Sequence, residues 1–218
     1  MSEKNNTRTL TLMAMLAAMA YVAMLITRPL PHVAGFLSYD LKDVVIVVAG
    51  FILGPIPALL ITLVVSLVEM VTVSSTGFIG LAMNVLSTGA FVLPGAILYN
   101  KRRSLKNAAI GLVEGTLLMT VVMLAWNYIL TPLYMHVPRE TVAGMLLSVF
   151  MPFNLVKGAL NAGITMLVYK PLSDVLRRAR LLPERHSASP ARRFNLPATL
   201  ASAFVVVTCV LVFVFVLK

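Results

Sequence analysis

The segment "SVFMPFNLVKGALNAGITMLVYKP", Ser148 to Pro171, decides the class of this protein. It is long and apolar enough to form a helix that crosses a bilayer, which needs about 20 mainly apolar residues. It also carries Asn154, Lys157 and Asn161, whose spacing places them on one face of that helix. An isolated lysine inside a membrane costs at least about 2.5 kcal/mol on insertion scales, so we expect this face to meet a partner or a wet cavity.

The rest of the chain is equally apolar. Apolar residues make up 59% of the 218 residues and charged residues only 12%. A soluble domain cannot solvate the long uncharged runs, so the sequence predicts an all-α integral membrane protein. Helix breakers and charge blocks predict seven helices, which are roughly Thr9–Thr27, Asp43–Leu53, Pro55–Val73, Phe78–Asn100, Ala108–Leu133, Leu147–Leu176 and Pro197–Leu217.

The helices and the charges between them suggest three parts. Residues 1–178 are expected to form one membrane domain, residues 179–195 a basic cytoplasmic linker, and residues 196–218 an additional transmembrane helix. The first apolar run has a basic start but no convincing cleavage site before Arg28, so we interpret it as a retained first span.

The distribution of Lys and Arg predicts the orientation in the membrane. The turn between the fourth and fifth helices holds four basic residues and no acid, and residues 170–193 carry a net charge of +5, whereas the loops on the other side sum to zero. By the positive-inside rule, both basic loops and the N-terminus are cytoplasmic and the C-terminus is extracellular. The net charge of +10 therefore reflects topology, and no basic face with stacking aromatic residues indicates a nucleic-acid partner.

This topology places several polar residues at the outer ends of different helices. They are Glu69, Asn84, Asn127, Asn154 and Lys157. Such residues can converge on one pocket, which predicts a membrane protein that binds a ligand from outside. Two alternatives stay open: each asparagine can instead join neighbouring helices by hydrogen bonds, and Lys157 can form a structural ion pair with Glu69.

No catalytic or metal site is predicted. The three histidines are dispersed and lack metal-ligand spacing, and the chain has neither an HExxH motif nor a phosphate-binding GxxxxGK[ST] motif. Cys209 is the single cysteine, which excludes an internal disulfide. Glu69 and Glu114 are expected near opposite membrane faces, which disfavours a paired general acid and base. We therefore expect a binding protein that is not an enzyme and carries no cofactor.

Several motifs resemble one transporter family. The stretches "FLSYDLKDV", "WNYILTP", "VPRE" and "PFNLVKG" are similar to the riboflavin-specific S component of energy-coupling factor transporters, and the similarity extends over about Leu10 to Arg178. The resemblance implies a six-helix bundle in the bacterial plasma membrane that captures riboflavin as a transported ligand. It also implies a partner module of one transmembrane coupling subunit and two ATPase subunits. The seventh helix departs from this pattern, and its role stays open.

The resemblance also implies site residues. In the family, the isoalloxazine edge is held by polar side chains at positions matching Asn127, Asn154 and Lys157, and the first external loop closes over the ligand. Carboxamides and an ammonium suit the carbonyl and imide groups of that edge. Further expected binding residues are Asp40, Glu69, Asn84 and Met83, with Met119 and Met123 as additional ring contacts. Alternatively, Asp40 and Asp43 only solvate the loop or cap the second helix.

Small residues on the first helix form a candidate docking stripe. Ala14 and Ala18 permit close helix approach, and the family uses such residues to dock the coupling subunit. Without the resemblance the same alanines indicate ordinary packing. Two further alternatives remain: an S component for another vitamin, and an intramembrane enzyme or proton-coupled carrier that uses Glu69 and Glu114.

Overall fold

The computed structural model describes residues 3–30, 32–35, 37–178 and 196–215. These residues form the α-helices α1 Glu3–Thr27, α2 Lys42–Leu53, α3 Pro55–Thr72, α4 Gly77–Lys101, α5 Leu105–Met135, α6 Arg139–Met145, α7 Met151–Arg178 and α8 Leu196–Phe215. A π-helical turn, Leu146–Phe150, joins α6 to α7. Extended structure in the described ranges is limited to one antiparallel bridge between Val33 and Leu37.

Six helical stretches are long and apolar enough to cross a membrane. They are Thr7–Thr27, Pro55–Thr72, Gly77–Lys101, Leu105–Leu133, Arg139–Tyr169 and Leu196–Val214. The remaining helix, α2, has 12 residues and is largely buried between the others. The predicted class, an all-α membrane bundle of six helices with a seventh at the C-terminus, is therefore confirmed.

The turn between α2 and α3 follows from its sequence. Gly54 has φ 103°, a left-handed conformation that glycine adopts without steric cost. Pro55 occupies the first position of α3, where its missing N–H leaves no hydrogen bond unmade. This tight turn reverses the chain directly after α2, so that α2 and α3 run antiparallel.

Two predicted helices begin more than one helical turn earlier in the structure than expected, and the first of them, expected from Thr9, begins at Glu3. The sixth helix was expected from Leu147, but helical structure begins at Arg139, directly after Pro138. Glu140 lies in the first turn, where a negative charge interacts favourably with the helix dipole. The predicted linker, residues 179–195, lies outside the described residues.

Glycines bring α4 and α5 into close contact. A Cβ atom added to Gly111 would lie 2.6 Å from the Cα of Gly95, and one added to Gly115 would lie 2.1 Å from the carbonyl oxygen of Phe91. The short helix α2 packs on α1, α3, α4 and α7, and thus fills the centre of the bundle. As a result, one end of the bundle, called here the cavity end, collects the ends of α1 and α3 and the starts of α2, α4 and α7.

The C-terminal helix packs on the outside of α7. Gly163 allows this approach, since a Cβ atom there would lie 2.8 Å from Val206 and 3.3 Å from the carbonyl oxygen of Ser202. The first helix packs on α2 and α3 instead. Ala14 and Ala18 are exposed on α1, so the candidate docking stripe is not covered by the described part of the chain.

Candidate binding cavity

A cavity of about 500 Å³ opens at the cavity end. Its volume lies in the usual range of small-molecule sites, about 300–1,000 Å³. Its walls come from the loop before α2 and from α1, α3, α4, α5 and α7. All seven binding residues predicted from the sequence line it, namely Asp40, Glu69, Met83, Asn84, Asn127, Asn154 and Lys157.

Two buried carboxamides reach the cavity from α5 and α7. The Nδ2 of Asn127 donates to the carbonyl oxygen of Met123 at 2.7 Å, and its Oδ1 accepts from Thr131 at 3.0 Å. The Nδ2 of Asn154 donates to the carbonyl oxygen of Phe150 at 2.7 Å. Each amide group has two N–H donors, so these bonds fix the orientation of both side chains and leave a second donor on each.

Lys157 pairs with Asp43, not with Glu69. Its Nζ lies 3.6 Å from the Oδ2 of Asp43, which is fully buried. Thr88 donates to the Oδ1 of Asp43 at 2.7 Å, and Asn161 donates to its Oδ2 at 3.4 Å. The expected alternative, a Lys157–Glu69 pair, was wrong because α2 lies between α3 and α7 and supplies the carboxylate itself.

Glu69 instead belongs to a second charged group. The Nζ of Lys42 lies 2.8 Å from the Oδ2 of Asp40 and also pairs with the Oε2 of Glu69. Only 1% of Lys42 is exposed. The alternative that Asp40 and Asp43 merely solvate the loop was also wrong, since both lie inside the bundle and in ion pairs.

Asp40 has one carboxylate oxygen that is free to accept a hydrogen bond from a ligand. Its Oδ1 is buried and has no hydrogen-bond partner in the described part of the chain, and the residue lines the cavity. Burial by itself raises the pKa of the Asp40 carboxyl, but Lys42 and Lys157 outweigh that effect and hold the pKa below its ordinary value. The side chain is therefore an ionised acceptor at the cavity wall.

Tyr39 connects the loop wall to α7. Its hydroxyl donates to the Oδ1 of Asn161 at 2.6 Å, and the Nδ2 of Asn161 donates to the carbonyl oxygen of Asp40 at 3.3 Å. Burial and the negative charges of Asp43 and Asp40 raise the pKa of the Tyr39 phenol, so the hydroxyl stays a donor. No pattern in the sequence indicated a role for Tyr39. The indirect signal was its hydrogen-bond partner Asn161, which shares a helical face with Lys157.

The remaining predicted residues divide between wall and core. Met123 lines the cavity as Met83 does, whereas Met119 is fully buried in the apolar core. Glu114 is exposed on α5 and is not a cavity residue, so the structure does not combine it with Glu69 in one site. No group of three or more potential metal-ligating side chains occurs in the described ranges.

Comparison with known proteins places this architecture in a family. The profile described as "ECF transporter, substrate-specific component" matches residues 8–169. The chain belongs to this family. The resemblance noted in the sequence is thereby confirmed, and the protein is a multi-pass membrane component of a transporter. Helix α8 lies beyond the matched residues.

Individual relatives agree with this assignment. The riboflavin transporter RibU of Staphylococcus aureus (strain TCH60) is 31% identical over 181 residues, which cover 80% of this chain and 95% of the relative. The riboflavin transporter FmnP of Bacillus subtilis (strain 168) is 28% identical, with 78% of this chain and 95% of the relative covered.

A solved structure shares the fold. It is described as "Structure and mechanism of the S component of a bacterial ECF transporter" and superposes with a TM-score of 0.67. The two sequences are 31% identical, and the match covers 80% of this chain and 99% of the other. The bundle therefore has the architecture of an S component.

Proposed function

We propose that this protein binds riboflavin in the cavity and delivers it to an ATP-driven energy-coupling factor module. The observation that carries the proposal is that Asn127, Asn154 and Lys157, from two different helices, line one cavity of suitable size. The riboflavin transporters among its relatives support the choice of ligand.

The polar groups of the cavity suit the two ends of this ligand. The pyrimidine edge of an isoalloxazine offers carbonyl acceptors and an imide N–H. These match the second N–H donors of Asn127 and Asn154, their carboxamide oxygens and the ammonium of Lys157. The unpartnered Oδ1 of Asp40 is an acceptor for a ribityl hydroxyl. Glu69 and Asn84 are further polar groups in the same wall, and Met83 supplies a polarizable contact to the ring.

The charge distribution supports an outward-facing cavity. The basic turn after α4 joins the helix ends that lie away from the cavity end. With that turn in the cytoplasm of a bacterial cell, the N-terminus is cytoplasmic, and the C-terminus and the cavity face outward. Riboflavin then enters from outside as a transported ligand, and the protein needs no cofactor of its own.

The exposed stripe of α1 is the proposed docking surface for the coupling subunit. Ala14 and Ala18 are one helical turn apart and both exposed, which permits close approach of another helix. The subunit docked there is proposed to connect the protein to two ATPase subunits. The ATPase activity lies in those partners and not in this chain.

The ligand is tested by flavin release and rebinding. Protein purified in detergent without added ligand is denatured, and the supernatant is examined for flavin absorbance and fluorescence. Ligand-free protein is then titrated with riboflavin, and quenching of the emission of flavin or of the single tryptophan, Trp126, is measured. We expect saturable binding at one site. A folded sample that neither releases nor binds flavin contradicts the proposal and favours another vitamin.

A further inference from the structure

The helix that lies beyond the family match reaches the cavity wall. From its packing site at Gly163, α8 runs along α7 toward the cavity end, where Cys209 and Phe213 lie. Cys209 is buried in a cluster with Leu160 of α7 and Tyr39 of the loop, and Phe213 packs against the same cluster. Hence α8 contacts a residue that itself lines the cavity.

The contact with the loop is an aromatic pair. The rings of Tyr39 and Phe213 lie edge to face, with centroids 6.1 Å apart and an interplanar angle of 69°. This is a favoured geometry for two aromatic rings. Tyr39 is therefore held by two elements, by its hydroxyl to Asn161 on α7 and by its ring to Phe213 on α8.

Tyr39 determines where the loop wall lies. Leu37, Ser38, Tyr39 and Asp40 line the cavity in succession, and the carbonyl oxygen of Asp40 is bound by the same Asn161 that binds Tyr39. Movement of Tyr39 away from α7 and α8 thus displaces the wall and the unpartnered acceptor of Asp40 together.

We propose that α8 is a brace for the cavity: through Phe213 it holds Tyr39 and the wall formed by residues 37–40 in place, and it thereby slows the escape of bound ligand. The effect on riboflavin release rests on the proposed function, whereas the effect on the mobility of the wall is independent of it. Tyr39 acts here as a positioning residue, and Phe213 acts only through it.

The experiment measures wall mobility and ligand release in the full-length protein. Phe213→Ala removes the ring contact, and Phe204→Ala makes the same change on the exposed face of α8, where 73% of the side chain is accessible. Hydrogen exchange of the amides of residues 37–41 is measured without ligand, and riboflavin dissociation is measured by flavin fluorescence. For Phe213→Ala we expect faster exchange and roughly two- to tenfold faster dissociation, in line with the loss of one aromatic pair.

The control and a second variant separate this role from general destabilisation. Phe204→Ala is expected to leave both rates unchanged. Phe213→Leu keeps apolar volume without the ring and is expected to give an intermediate effect, so it replaces Phe213→Ala if that variant does not fold. In a Tyr39→Leu background, Phe213→Ala should have little further effect, because the two residues act in one contact.

The outcomes are distinct. Unchanged exchange and dissociation in the Phe213 variants overturn the brace, as does an equal effect of Phe204→Ala. Wild-type protein that does not bind riboflavin contradicts the proposed function instead, and the exchange measurement then decides the brace alone.

Discussion

Two lysines at the same end of the bundle have opposite surroundings. Lys42 is 1% exposed and is held between the carboxylates of Asp40 and Glu69. Lys157 is 8% exposed, lies 3.6 Å from the single carboxylate of Asp43, and lines the cavity. Lys42 thus has two carboxylate partners and is almost inaccessible to solvent. Lys157 has one ion-pair partner and faces the cavity.

The difference is the physical basis for proposing a structural role for Lys42 and a ligand-binding role for Lys157. Buried ions need close partners, since removal from water costs several kcal/mol per ion, on the order of the energy that pairing returns. The ammonium of Lys42 is paired with carboxylates of the protein. The ammonium of Lys157 has N–H donors left for the proposed ligand. Asp43 holds Lys157 in position and is itself held by Thr88 and Asn161.

The largest expected effect is the loss of Lys42. Lys42→Met leaves the carboxylates of Asp40 and Glu69 close together without a counter-charge, and we expect a loss of about 3–5 kcal/mol in the free energy of unfolding. The measurement is unfolding of the ligand-free protein in detergent.

The matched variant for this prediction removes all three charges. Asp40→Asn, Lys42→Met and Glu69→Gln together should recover most of the stability, because no unpaired ion remains. An unchanged melting temperature in Lys42→Met alone contradicts the structural role of this lysine.

The next largest effect is on affinity. Lys157→Met keeps the apolar stem and removes the ammonium, whose hydrogen bond to a polar partner is worth roughly 1.5–3 kcal/mol. Riboflavin affinity should therefore fall about ten- to a hundredfold, at about 1.4 kcal/mol per tenfold. The dissociation constant is measured by fluorescence titration.

The carboxylate partner provides the control for Lys157→Met. The substitution also leaves Asp43 without its counter-charge, so some loss of stability is expected, and the double variant with Asp43→Asn should restore stability but not affinity. Glu69→Gln should not restore either, since Glu69 pairs with Lys42. Recovery of affinity in the Asp43→Asn double variant argues against Lys157 as a ligand donor.

A smaller effect is expected one contact further from the ligand. Thr88→Val keeps the shape of the side chain and removes its 2.7 Å hydrogen bond to Asp43. We expect a loss of about 1 kcal/mol in stability and a severalfold lower riboflavin affinity, because Lys157 loses a fixed partner. Thr62→Val is the matched control: Thr62 is a buried residue of α3 that does not line the cavity, and its hydroxyl donates to the carbonyl oxygen of Ala58 at 2.9 Å, so its loss should leave riboflavin affinity unchanged.

Substitutions in the docking stripe are expected to have the smallest effect on the two lysines and on riboflavin binding. Ala14→Leu with Ala18→Leu changes only exposed positions on α1, so riboflavin affinity should stay unchanged while ATP-driven uptake is lost. Uptake of labelled riboflavin is compared with that of Ala201→Leu, an exposed alanine on α8. Normal uptake by the double variant at equal expression restores the packing interpretation of the stripe.

The sequence predicted which residues meet but not how they pair. Helical spacing and the expected topology placed Asn84, Asn127, Asn154 and Lys157 at one end of the bundle. Both can be predicted from the sequence, because spacing is local and topology depends only on the order of the helices and the charges between them. The partner of Lys157 depends on which helix lies beside α7. Asp43 is the second residue of the 12-residue helix α2, and from its position in the chain it resembles an ordinary helix cap. Only the packing of α2 in the bundle centre makes it a buried counter-ion.

The π-helical turn and the start of α6 were not predicted from the sequence, because the residues there are also typical of a loop. "VPRE" carries both a breaker and charges, which are typical of a loop, yet Pro138 directly precedes the first helical residue and Glu140 suits the first turn. The contact of Phe213 with Tyr39 joins residues far apart in the chain, and no local pattern indicates it.

The central claim is that Lys157, and not Lys42, donates a hydrogen bond to the ligand. Infrared difference spectra of bound riboflavin carrying ¹³C at its C2 and C4 carbonyls test it directly, since a lost donor raises the stretching frequency of the carbonyl that accepted it. We predict a shift of one carbonyl band in Lys157→Met, and unchanged bands in the variant in which Asp40, Lys42 and Glu69 are all neutral or apolar. Identical carbonyl bands in wild-type protein and Lys157→Met, with ligand bound to both, would contradict the account.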